Sequence, residues 1–174
     1  MSRLNIKRCD LIQMIDLNKV KWENKSTSNC YAFALGLDIP EKKICEAAYV
    51  PGVMSGSLIN LPAKYSFTLD ELIRSLESDF DFLGIQYREN VSKEELEEGE
   101  WLIALYVSYL FSHRKDRLSD YHFIRLLSDG IWYHKNGFCG GVINTDRNRK
   151  VITDPLECDF KNRDFVKTYA LKLK

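Results

Sequence analysis

The sequence predicts an α+β domain, with N-terminal helices packed on one face of a mostly antiparallel β-sheet. Three observations predict it. Helix-start signals fall before residue 99: Ser28 or Asn29 ahead of Cys30, Thr68 with Glu71, and Ser92 with Glu95. After Gly99, "EWLIALYVSYL", "YHFIRLL", "IWYHK", "KVITD" and "FVKTYALKL" are rich in β-branched and aromatic residues and separated by turn residues. Helices first and antiparallel strands afterwards is the order of a helix layer laid on a sheet. The 174 residues suit one core, so a single domain over 1–174 is expected.

Each element has its own signal. Residues 9–17, "CDLIQMIDL", carry apolar side chains near helical spacing and predict a short helix. The polar loop "ENKSTSN" then gives way to "CYAFALGL", and an oxygen on Ser28 or Asn29 can cap a helix that begins near Cys30. Residues 38–66 are punctuated by Pro40, Pro51, Gly52, Gly56 and Pro62 and read as loop. The pairs Thr68/Glu71 and Ser92/Glu95 are capping boxes that open helices over "LDELIRSLES" and "KEELEEG". Between them "FDFLGIQYR" reads as a strand, and the sheet segments follow.

Composition narrows the function classes. Lysine plus arginine and aspartate plus glutamate both number 25, so the formal net charge is zero and no basic field calls for nucleic acid. The longest apolar runs, "WLIALYV" and "FCGGVI", fall far short of the ~20 residues that span a bilayer, so membrane insertion is not expected. The first twenty residues lack the continuous apolar block of a secretory signal, which leads us to expect a cytoplasmic protein or one delivered by a signal-independent route. Cys9, Cys30, Cys45, Cys139 and Cys158 are odd in number and widely spaced, the pattern of free thiols rather than of a disulfide framework.

Three residues carry candidate chemistry. Cys30 stands in a first helical turn, where the positive end of the helix lowers a thiol's pKa and the free amides can hold an oxyanion. A small buried cysteine is the bland alternative. His122 opens the strand "HFIRLL", in which His122, Ile124 and Leu126 share one face, and an imidazole so placed suits the base that a thiol nucleophile needs from elsewhere in the chain. If "LSDGI" closes as a tight turn on Asp129-Gly130, His134 falls diagonal to His122 within ~7–8 Å and can orient it. A one-residue bulge there reverses the facing. His122, His134 and Cys139 are metal-ligand types, but their spacing matches no common zinc pattern, so no metal and no cofactor are expected.

These pieces, in order, carry a resemblance. "NCYAFAL", then "LEEGEWLIALYV", then His122 opening a strand, a Gly-containing turn, and a second histidine twelve residues on followed by "GGV" together resemble the NlpC-type cysteine peptidases of the papain-like superfamily. The resemblance spans about residues 28 to 145 as ordered motifs. It implies a papain-like, NlpC-like fold, with Cys30 as nucleophile, His122 as base, His134 as the orienting residue, and Gly99-Glu100 at the Gly-Asp step that opens the first core strand. The sequence departs at Asn29, where the family commonly has aspartate, at Tyr31-Ala32, where it has Ser-Gly, and in the long charged stretch "SYLFSHRKDRLSD". The pieces "NCY", "HFIR", "WYHK" and "ITDP" are also similar to a looser set of bacterial sequences, and they raise Asp154 as the alternate third member.

The expected function is therefore a thiol-dependent hydrolase acting on an amide bond of a peptide or protein, as peptidase, amidase or glutamine deamidase. The alternative is a non-catalytic binding module on the same scaffold, using aromatics such as Tyr31, Trp132 and Tyr133.

Overall fold

A computed structural model of the protein describes residues 13, 15–17, 28–37, 50–57, 67–111, 114–137 and 140–174. Among them a short helix α1 (Cys30–Ala34) and a longer one, α2 (Leu69–Leu83), precede six strands: β1 (Ile85–Glu89), β2 (Trp101–Phe111), β3 (Arg114–Leu126), β4 (Trp132–Lys135), β5 (Val142–Ile143) and β6 (Asp164–Leu173). The strands form one sheet in the order β1-β6-β2-β3-β4-β5, antiparallel throughout.

Local chemistry explains each boundary. Thr68 and Glu71 close the expected capping box, with the Thr68 N–H donating to the Glu71 carboxylate at 2.7 Å. The helix then runs to Leu83 and stops at Gly84, whose φ of 72° is the left-handed C-cap that glycine adopts freely. That stop corrects the strand expected over "FDFLGIQYR": Phe80–Leu83 is the last turn of α2, and only Ile85–Glu89 is extended. The Ser92/Glu95 pair makes its backbone contact at 2.8 Å but supports a single 3₁₀ turn, because Leu96 already returns to extended backbone.

The α+β, papain-like expectation is corrected on this ground. The fold is mainly β, with five residues in α1 and fifteen in α2 against a six-stranded sheet. The helix that Asn29 opens ends after Ala34, and Gly36 turns the chain back at φ 71°. Of the helix expected over 9–17 only positions 13 and 15–17 are described, and Ile15 bridges Leu37 there as an antiparallel pair.

Both faces of the sheet are buried, which is why β2 is apolar without alternation from Trp101 to Val107. One face packs Ile103, Leu105, Phe123 and Tyr169 under α1 and α2. The other packs Leu102, Tyr106, Ile124 and Trp132 under Val91, Ile152 and Phe160 from non-helical segments. Helices therefore cover one face, as expected, while irregular chain covers the second. The charged stretch before His122 is no loose insertion, for β2 and β3 continue pairing outward through Tyr109–Leu118 and Phe111–Arg114. Among the described residues no helix is long and apolar enough to cross a membrane.

Candidate active site

Cys30 is placed by three anchors on its short helix. Asn29 is the N-cap, and its Oδ1 accepts from the Tyr31 and Ala32 amides at 3.1 Å each. Tyr31 is fully buried, and its hydroxyl donates to Asp79 of α2 at 2.9 Å. The same carboxylate accepts from the Gly52 amide at 2.7 Å and the Ser55 amide at 2.8 Å, so one buried side chain ties α1, α2 and the 50–57 segment together. Trp101 closes the other end by donating its indole N–H to the Ala34 carbonyl at 3.1 Å. The cap also alters one expectation: Asn29 takes two first-turn amides, which leaves the Cys30 N–H as the first-turn donor not taken by the cap.

His122 and His134 are brought together by the β3–β4 hairpin, though by a different turn from the one expected. Ile124 pairs with His134 and Leu126 with Trp132, while Leu127 and Ile131 close a three-residue loop of Ser128, Asp129 and Gly130. Gly130 sits at φ 77°, the left-handed position of such loops. A two-residue turn on Asp129-Gly130 would set His134 across from Arg125 and turn it to the opposite face. The extra residue is what puts it on the face of His122. The rings meet with His122 Nε2 3.0 Å from His134 Nδ1.

The protonation pattern follows from a carbonyl. His134 Nε2 lies 3.0 Å from the Thr145 oxygen, which can only accept, so His134 carries its proton on Nε2 and Nδ1 is a bare acceptor. His122 must then donate from Nε2 and keep a lone pair on Nδ1. Burial is the main force holding the imidazoles below their usual range, His122 well below it, with His134 and Arg163 adding to the effect there. At His134 the Thr145 carbonyl and Asn136 partly offset the burial. Both are neutral near pH 7.

Cys30, His122, Asn29, Tyr121, Asn136, Gly137, Asp120 and Arg163 line one cleft of about 410 Å³, within the usual size of small-ligand sites. Lys135, fully buried, shapes its wall by donating from Nζ to the Gly137 and Gly140 carbonyls. Burial pushes the Cys30 thiol up to about 11, opposed by backbone amides of Phe123 and Tyr31 and by Arg163. That reverses the lowering expected from its helical position. At rest Cys30 is thus a thiol and His122 a neutral imidazole, two groups lining one cleft.

The remaining candidates lie elsewhere. Asp154 caps a 3₁₀ turn through the Leu156 amide at 2.8 Å and lines a separate cavity of about 620 Å³ with Trp132 and Leu156, so it does not share the cleft of Cys30. The outer ring nitrogen of His134 is taken by the Thr145 carbonyl rather than by Asp154. Gly99 and Glu100 form the turn before β2, where Glu100 pairs with Arg88 at 2.7 Å. Tyr31 and Trp132 are core, and the Tyr133 hydroxyl is bound to Asp129. Cys158 is a free thiol like Cys30, and Cys9, Cys45, Cys139 and His113 lie outside the described residues. Arg163 and Asp120 were not singled out from the sequence, since a charge in "KNRDF" or "RLSDY" carries no periodic or motif signal.

Comparison with family models, with characterised proteins and with solved structures gives no significant match to the chain.

Proposed function

We propose that the protein is a thiol-dependent hydrolase acting on an amide bond, with Cys30 as nucleophile, His122 as base and His134 as the residue that orients it. The observation that carries this reading is the chain from the Thr145 carbonyl through His134 to His122, which leaves the His122 Nδ1 lone pair as the free proton acceptor of a ring lining the same cleft as Cys30.

In the proposed reaction the Cys30 proton passes to His122 Nδ1 as sulfur bonds to the amide carbon. The Cys30 N–H is the backbone donor for the resulting oxyanion. His122 returns the proton to the departing nitrogen as the C–N bond breaks, and water hydrolyses the thioester with His122 again as base. His134, neutral, accepts the Nε2 hydrogen bond throughout and holds the imidazolium that forms. Peptidase, amidase and deamidase share these steps and differ in the amine that leaves.

The test is iodoacetamide labelling followed by peptide mapping. Cys30 is expected to react ahead of Cys158, with a rate that falls about 10²-fold in His122→Gln, the size of a general-base contribution. Equal labelling of both thiols, unchanged by His122→Gln, would count against the reading. Hydrolysis of a panel of peptide and glutamine amides is expected to vanish in Cys30→Ala.

A further inference from the structure

The cleft beside Cys30 contains an ion pair that the proposed chemistry does not use. Arg163, at the approach to β6, and Asp120, on β3 two residues before His122, meet at 2.7 Å between Nη2 and Oδ2. Both line the same cleft as Cys30 and His122. The pair is solvated, with the Arg163 side chain 25% exposed and Asp120 52% exposed, so it adds little stability of its own. It engages one terminal nitrogen, and among the described residues the Nη1 and Nε edge of Arg163 has no partner. A guanidinium carries five donors in a planar fork that matches a carboxylate. Its charge is also felt at Cys30, His122 and His134.

Building on the hydrolase reading, we infer that Arg163 is an anion subsite beside the nucleophile, and that the substrate is an amide bearing a carboxylate close to the bond that is cleaved. Asp120 holds the guanidinium in place before the substrate binds and yields to the substrate's carboxylate. The exchange is cheap because the existing pair is exposed, and the new one is excluded from water by the substrate itself. The position of Arg163 then selects which amide carbonyl faces Cys30.

Two alkylating reagents of similar size test this on the full chain. Iodoacetate carries a carboxylate and iodoacetamide does not, so the ratio of their rates at Cys30 reads the subsite directly. In Arg163→Met the ratio is expected to fall about tenfold, the size of one charge-assisted contact, and Arg163→Lys is expected to restore part of it. Asp120→Asn is expected to raise the ratio several-fold. Opposite directions for the two partners separate a ligand site from a structural pair, whose loss would move the ratio the same way from either side and overturn the inference. An unchanged ratio in Arg163→Met also overturns it. Reaction with iodoacetamide but no effect of Arg163 would spare the hydrolase reading, whereas a Cys30 inert to both reagents sinks that reading and the subsite with it. Protection of Cys30 from iodoacetamide then identifies the source of the carboxylate. Acetylglycine, if it protects at the lower concentration, points to a chain terminus, and acetylglutamate α-amide to an acidic side chain. Protection that survives Arg163→Met counts against the subsite.

Discussion

His122 and His134 meet edge to face, their ring planes 84° apart and their centroids 4.9 Å apart, with Phe160 against both rings at 5.2 and 4.9 Å. Phe160 closes the apolar side of the pair, and Thr145 closes the polar side. The geometry fixes each ring against rotation, so a change at His134 is read out at His122.

Replacing His134 by glutamine is expected to lower the rate of Cys30 alkylation and of amide hydrolysis by roughly 10²-fold, the cost of a misplaced catalytic group. The loss should appear in kcat more than in KM, because His134 does not line the cleft.

Acid should destabilise the fold through the same two rings. Their folded pKa values are depressed, so below the unfolded value of ~6.5 the unfolded chain binds protons that the native state refuses. Their contribution is complete above pH 6.5 and is lost as pH falls through the window beneath it, at up to about 1.4 kcal/mol per pH unit for each ring. Urea titrations between pH 7.5 and 4.5 check this, and His122→Gln is expected to flatten the slope.

Asp79→Ala removes the acceptor of three donors, two backbone amides and the Tyr31 hydroxyl. The expected cost is about 3 kcal/mol, against about 1 kcal/mol for Tyr31→Phe, which deletes a donor and leaves Asp79 with two others. Chemical denaturation measures both, and a double-mutant cycle isolates the Tyr31–Asp79 term.

Gly130→Ala tests the hairpin separately from packing. A Cβ at Gly130 meets nothing within 4 Å, so the expected loss of about 1 kcal/mol comes from the left-handed backbone alone. Cys30 alkylation is expected to stay at the wild-type rate.

Local signals were readable where a side chain acts on its own backbone. Asn29 and Thr68 announced their helices, and the strand face shared by His122 and Ile124 followed from alternation. Signals failed where the outcome depends on something further along the chain. Phe80–Leu83 resembles a strand until Gly84 is known to be the helix stop, and the Ser92/Glu95 box cannot show that Leu96 will leave the helix. The fold class was misjudged for the same reason: a cap marks a beginning and says nothing of length. The hairpin placed the two histidines together, yet its loop length had to be seen, since one residue more or less inverts the face. The partner beyond His134 is a main-chain oxygen of Thr145, which no residue type in the sequence advertises.

The Thr145 carbonyl also makes the histidine chain a dead end. An amide oxygen holds no proton to pass on, so His134 cannot hand one outward through Thr145. In the proposed reaction the proton lifted from Cys30 therefore goes back from His122 into the cleft, where the departing amine stands to receive it. Turnover would then depend on whether that cleft is occupied by a leaving group or by water, with the Thr145 carbonyl closing the far side of the histidine pair.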